Sequence, residues 1–284
     1  AVLETCASLG RRGVEVVILP VDGGGRASVR DVEAALTQDT LAVSVMMANN
    51  ELGTIQPVAE IGALCRQMGV PFLSDLAQSL GKVPVSVDDL SLDLGAMSAH
   101  KLYGPKGVGA LYVRRGSLFA RLRSQVHGAS HEQGLRAGTL NVPGIVGFGA
   151  ACALAQAHMG DEIPGKAALR DRLLAQLEEG LGPVDVNGDR EHRLPQNLHI
   201  SIPGVEAQAL LEALPSVGMS AGSACKSTVT KVSRVLSALG LSEARALSSL
   251  RFGIGRFTTE ADIDEAARRI VEAVLRLRGQ TASD

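Results

Sequence analysis

Short apolar runs alternate with amphipathic stretches along most of the chain. VEVVILPV (14–21), LAVSVMMA (41–48), PFLSD (71–75), LDLGAMSA (92–99) and GVGALYVRR (107–115) read as strands. Between them, VRDVEAALTQ (29–38), with Ser28 as its cap, and PVAEIGALCRQMG (57–69), with Pro at its start and Gly at its end, read as helices. AVLETCASLGRRG (1–13) has Val2, Leu3, Cys6 and Leu9 on one helical face, but no cap residue precedes it. A helix already under way at the first residue implies further sequence upstream.

Residues 116–144 are polar and irregular, and a long loop in a compact domain is usually functional. Two helices follow, VPGIVGFGAACALAQAHM (142–159) and ALRDRLLAQLEEGL (168–181). In the remainder VDVNG, NLHISIPG, VGMSAGSA and SLRFGIGR read as strands. EAQALLEAL, KVSRVLSALG and TTEADIDEAARRIVEAVLRLRG read as helices, the last capped by Thr258. The alternation predicts an α/β fold, a mostly parallel mixed sheet in a large domain over residues 1–160. A smaller α+β domain is expected over 161–284.

Composition narrows the class. The 284 residues are 45% apolar and 20% charged, with a net charge of −2 and no Trp, so the core rests on aliphatic side chains. Without a basic block there is no electrostatic case for a nucleic-acid partner. No apolar stretch is read as reaching the length of a membrane span, and no signal peptide is recognisable. The four cysteines form no C-x-x-C pair, which disfavours a zinc site or a disulfide framework and favours a cytoplasmic setting.

The chemistry concentrates at strand ends, where ligands bind in open α/β sheets. Asn50, Asp75 and Lys101 all fall there. An amine able to condense with an aldehyde, near a carboxylate able to pair with a pyridinium nitrogen, is the minimal equipment for pyridoxal 5′-phosphate (PLP). An ordinary strand-end lysine reaching for water is the competing reading of Lys101. GPKGVG has neither the P-loop nor the G-x-G-x-x-G spacing. Cys225 lies in SAGSACKSTVT, a polar, small-residue loop, and Lys226 beside it favours the nucleophilic thiolate. Cys6, Cys65 and Cys152 sit on helices among apolar neighbours, like small buried hydrophobes. Arg251, within a predicted strand, needs an anionic partner: a substrate carboxylate or a structural acid.

SAHKLYGPKGVGALYVRR, SDLAQSLGK, MMANNELGTIQP, AGSAC and SSLRFGIGRFTTE together resemble the cysteine desulfurases, fold-type I PLP enzymes that convert L-cysteine to L-alanine. The stretch from Cys225 to Leu236 is similar to the long-loop branch that supplies iron–sulfur cluster assembly. The resemblance implies Lys101 as the Schiff-base lysine, Asp75 at the pyridine nitrogen and Gln78 at the phenolic oxygen. It implies Ser98 and His100 at the phosphate and Thr139 at the phosphate of a second subunit, hence a homodimer. Asn50 and Arg251 would hold the substrate carboxylate. Cys225 would carry a persulfide toward a sulfur-accepting scaffold or carrier protein.

The family pattern changes in places: Leu76 follows the aspartate, Ala99 precedes His100, and Gln133 replaces an arginine. KSTVTKVS follows the active cysteine. The family's N-terminal segment, with a phosphate-binding loop and a ring-stacking histidine, has no counterpart before Ala1. That makes a catalytically weak or inactive homologue the main alternative. A selenocysteine lyase or aminotransferase relative is the other.

Overall fold

In the computed structural model, which describes residues 1–221, 223–224 and 231–281, helices and strands alternate as the sequence pattern leads one to expect. The first half runs α1 (Val2–Gly10), α2 (Val29–Ala35), β1 (Val43–Ser44), α3 (Val58–Met68), β2 (Phe72–Asp75), β3 (Leu94–Ser98), β4 (Gly109–Val113) and α4 (Ser117–Arg121). The second runs α5 (Val142–Leu181), β5 (Asp185–Val186), β6 (Asn197–Ser201), α6 (Ala207–Ala213), β7 (Met219–Ala221), β8 (Ser223–Ala224), β9 (Lys231–Val232), α7 (Arg234–Ala238), α8 (Glu243–Leu247), β10 (Ser249–Gly253) and α9 (Glu260–Thr281).

The first sheet has the order β1-β2-β3-β4. β1 and β3 flank β2 in parallel, while β4 returns antiparallel to β3. α3 covers it, burying Val58, Ile61 and Cys65 against Phe72, Leu76 and Leu92. That helix stops at Gly69, whose left-handed backbone (φ 69°) is readily adopted without a Cβ. The second sheet is antiparallel, in the order β5-β6-β10-β7. One of its faces is apolar: Leu198, Ile200, Leu250 and Phe252 pack with Leu173 and Leu177 of α5 and Ile263 and Ile270 of α9.

The other face of the second sheet is polar and buried. Asn187 Oδ1 accepts from Arg245 Nε and Nη2 at 3.1 and 2.7 Å, which fixes the amide so that Nδ2 faces His199 Nδ1 at 3.1 Å. The imidazole is therefore neutral with its proton on Nε2. Burial, then the charges of Arg193 and Arg251, push it down to about 3.

Four expectations need correction. The run 14–21 is not a strand: only Val21 makes a bridge, to Ala27, and Val16, Val17 and Ile18 are exposed. Apolar composition implies a tendency to bury, but a strand also needs a partner's ladder, and none lies along this run among the described residues. The two helices predicted at 142–181 are one continuous helix through Pro164. Gly160 stands four residues earlier, where the backbone must yield to the proline ring. The cap of α9 is Thr259 rather than Thr258: Thr259 Oγ1 accepts the Asp262 N–H at 3.2 Å, and Asp262 Oδ2 accepts the Thr259 N–H at 2.8 Å. Finally, α5 contains a stretch long and apolar enough, by length and composition, to cross a membrane. In this fold Phe148, Ala151 and Ala155 of that helix pack instead on Ala99 and Leu102.

Candidate active site

Lys101 is presented by a short 3-10 turn, Ala99–Leu102, that follows β3 directly. Ala99 and Leu102 are buried against α5, whereas His100 and Lys101 are exposed. The turn thus pins two side chains and offers the other two. It is closed by the Gly104 N–H donating to the Ala99 carbonyl at 2.9 Å. A Cβ on Gly104 would come within 2.9 Å of that same oxygen, so a larger residue would force the turn open.

Asp75 is the last residue of β2 and stands in register with Ala96 of β3. Its carboxylate is exposed, with Oδ1 accepting the Ala77 N–H at 2.9 Å. Two residues beyond Ala96, Ser98 Oγ and His100 Nδ1 are 2.9 Å apart. Gln78 Oε1 accepts from Lys82 Nζ at 3.0 Å, leaving the amide NH₂ as the donor end. Burial, and then the charges of Lys101 and Lys166, push the Lys82 ammonium down to about 8.

The second sheet contributes Arg251. It lies in β10, opposite His199 on one side and Ser220 on the other. Its Nη1 donates to the Asn50 carbonyl at 2.8 Å and its Nη2 to Ser220 Oγ at 3.4 Å. The Asn50 loop is held from both sides. Asn49 Oδ1 accepts from the N–H groups of Glu51 and Leu52, each at 2.9 Å, and Asn197 Nδ2 donates to the Glu51 carbonyl at 3.0 Å. Asp75, Ser98, His100 and Lys101 therefore share one sheet end, and Asn50 and Arg251 join each other from opposite halves of the chain. Thr139 is exposed in the segment before α5. Cys225 lies outside the described residues; β8 and β9 pair on either side of it in sequence.

The residues present fit PLP. The exposed Asp75 carboxylate suits a pyridinium N–H, the Gln78 NH₂ suits a phenolic oxygen, and the Ser98–His100 pair suits a phosphate. The Lys101 amine suits the aldehyde. The sequence reading passed over a neighbouring charged group in which Glu162 bonds both Lys166 and Arg256, with Tyr103 against them. Burial pushes the Glu162 carboxyl up, but hydrogen bonds from Lys166 and Arg256 outweigh it and hold it below its usual range. The available signal was the i, i+4 spacing of Glu162 and Lys166, which sets opposite charges one turn apart on a helix.

Comparison with known proteins bears on this arrangement. The description "Aminotransferase class-V" matches residues 1–266. Cysteine desulfurase IscS of Anaeromyxobacter sp. (strain Fw109-5) is 50% identical over 278 residues, which is 98% of this chain and 69% of that protein. Cysteine desulfurase IscS of Pseudomonas aeruginosa (strain LESB58) is 49% identical over 98% of this chain and 68% of its own. Among solved structures, a NifS-like protein superposes with a TM-score of 0.88 at 32% identity, covering 97% of this chain and 72% of that one. SspA in complex with cysteine superposes with a TM-score of 0.71 at 31% identity, covering 91% and 71%.

Proposed function

Because the chain belongs to the class-V aminotransferase family, and within it to the PLP-dependent cysteine desulfurases, we propose that it takes sulfur from L-cysteine through the residues described above. L-Alanine is left, and the sulfur passes by way of Cys225 to an acceptor protein for iron–sulfur cluster or other sulfur-containing cofactor assembly. The observation that carries this reading is a pair of arrangements. Asp75 and the Lys101 turn end adjacent parallel strands, and Arg251 reaches the Asn50 loop.

PLP, when bound, supplies an electron sink for bonds at the amino acid's Cα and Cβ. Asp75 keeps the ring nitrogen protonated, Gln78 donates to the phenolic oxygen, and Ser98 and His100 hold the phosphate. Lys101 Nζ is the amine that meets the aldehyde. Arg251 and Asn50 orient the L-cysteine carboxylate, a planar fork against a planar anion. The Cys225 thiolate attacks the substrate sulfur. An S–S bond forms, the substrate Cβ–S bond breaks, and its electron pair stays on Cβ, which a proton converts to the alanine methyl. The exposure of Thr139 leaves it accessible to a second copy, which supports a further part of the reading, that it completes the phosphate site of the partner in a homodimer.

Alanine and sulfide released from L-cysteine, with and without a thiol reductant, test the reading. Cys225→Ser is expected to abolish sulfide release while PLP binding persists; full activity in that variant overturns the role of Cys225. A second reading, a weakly active form that retains its cofactor loosely, is favoured by the exposure of Asp75, His100 and Lys101. Sulfide release that rises steadily with added PLP would support it.

A further inference from the structure

A turn from the first half of the molecule and a loop from the second meet beside Lys101. Tyr103 follows Lys101 by two residues, with a left-handed backbone (φ 65°) that is uncommon for a bulky side chain. This placement brings the tyrosine to the loop after β10. Its hydroxyl accepts the Arg256 backbone N–H at 2.7 Å. The Arg256 guanidinium lies 4.9 Å from the ring centroid and Lys166 Nζ lies 5.9 Å from it, both within cation–π range. Glu162 bonds both cations and ties them to α5. The side chains of Lys166, Glu162 and Arg256 are only 8%, 15% and 18% exposed, whereas over half of Tyr103 faces solvent.

The two ends of this group are attached to different parts of the site. Tyr103 belongs to the Lys101 turn, and Arg256 follows the strand that carries Arg251. One carboxylate serves one buried and one largely buried cation, with Lys82 close enough to feel the Lys166 charge, so the local charge is incompletely balanced. Well-packed apolar side chains often stabilise such a position as well as or better than ions do. What the charged group adds is directionality across the junction.

From this geometry we propose that Tyr103, with Glu162, Lys166 and Arg256, forms a clamp that fixes Arg251 relative to Lys101. Tyr103 is then a positioning residue for a substrate held at its amine and its carboxylate. The inference rests on the roles proposed above for Lys101 and Arg251. Misplacing one end of a two-point site by ~1 Å is enough to lose a large part of the binding and rate advantage.

The test separates the clamp from simple packing. Spectral titration of the PLP-loaded chain with S-methyl-L-cysteine and with its decarboxylated counterpart, 2-(methylthio)ethylamine, gives an affinity ratio that reports the carboxylate's contribution. Tyr103→Leu is expected to lower that ratio about tenfold, equivalent to about 1.4 kcal/mol. Tyr103→Phe keeps the ring and loses only the hydroxyl acceptor, and should lower it about threefold. In the chain without PLP, amide exchange at residues 254–258 should quicken by about tenfold in Tyr103→Leu, the same free energy read through local opening. A wild-type ratio near one overturns the reading of Arg251 and, with it, this inference. A large wild-type ratio that both Tyr103 variants leave intact overturns the clamp alone.

Discussion

The two sheets of this molecule differ in how completely they are covered. Every residue of β6 is buried, and the apolar face of its sheet is enclosed by α5, α6 and α9. The first sheet is enclosed only at its centre. Just before its short edge strand β1 in sequence, Leu41 is 64% exposed, Ile18 of the unpaired run is 71% exposed, and at the other edge Leu111 of β4 is 56% exposed. The covered sheet supplies Arg251, whereas the open one supplies Asp75, Ser98, His100 and Lys101. The residue proposed to hold the substrate carboxylate thus stands on a closed core. The residues proposed to hold the cofactor stand on a sheet whose apolar flanks remain available for cover, a property expected of association surfaces.

The largest expected effect comes from breaking the closed half. Leu177 is fully buried beneath the second sheet. Leu177→Ala should destabilise the chain by about 2–5 kcal/mol in denaturant unfolding, from lost transfer energy plus a cavity. A value below about 1 kcal/mol, the scale of surface substitutions and small core adjustments, would show that this core is not as closed as described.

The buried polar face of the same sheet gives an effect that depends on pH. His199 titrates near 6.5 when unfolded and near 3 in the fold. Below pH 6.5 the unfolded chain therefore takes up a proton that the native state refuses. The His199 contribution is complete above that pH and is lost as pH falls toward 3, at up to about 1.4 kcal/mol per pH unit. His199→Asn should flatten this part of the stability profile, read as the wild-type minus variant difference from pH 7 to pH 4. A difference that does not change with pH would mean the imidazole is not held neutral.

The smallest effect belongs to the open half. Ile18→Lys should change folding stability by no more than about 0.5 kcal/mol while reducing binding of a hydrophobic dye and self-association. A large loss of stability would place Ile18 in a core and erase the contrast between the sheets.

What the sequence revealed follows the same division between local and distant causes. The α3 boundaries were legible because Pro57 and Gly69 act on their own backbone. β2, β3 and β4 were legible as apolar runs punctuated by polar strand ends. The run at 14–21 misled because ladder partners leave no local trace. α5 misled because Pro164 usually marks a boundary, and α8 was missed although Ser242 caps it, since five residues carry too little periodicity. The strand-end positions of Asn50, Asp75 and Lys101 were read from apolar runs, and most of the other candidate site residues from family resemblance; the structure brings Asp75, Ser98, His100 and Lys101 to one sheet end. The Tyr103–Arg256 contact was not, because it joins residues 153 apart in sequence and has no spacing of its own.

The most direct test of the central claim is the site of PLP attachment. Borohydride reduction of the chain in the presence of PLP, followed by proteolysis and mass spectrometry, is expected to place the pyridoxyl group on Lys101. Lys82 is the demanding competitor: with its ammonium pushed down to about 8, a sizeable share is neutral and nucleophilic in mildly alkaline buffer. A label confined to Lys101 under those conditions supports the site as described; a label on Lys82 or Lys106 instead would contradict it.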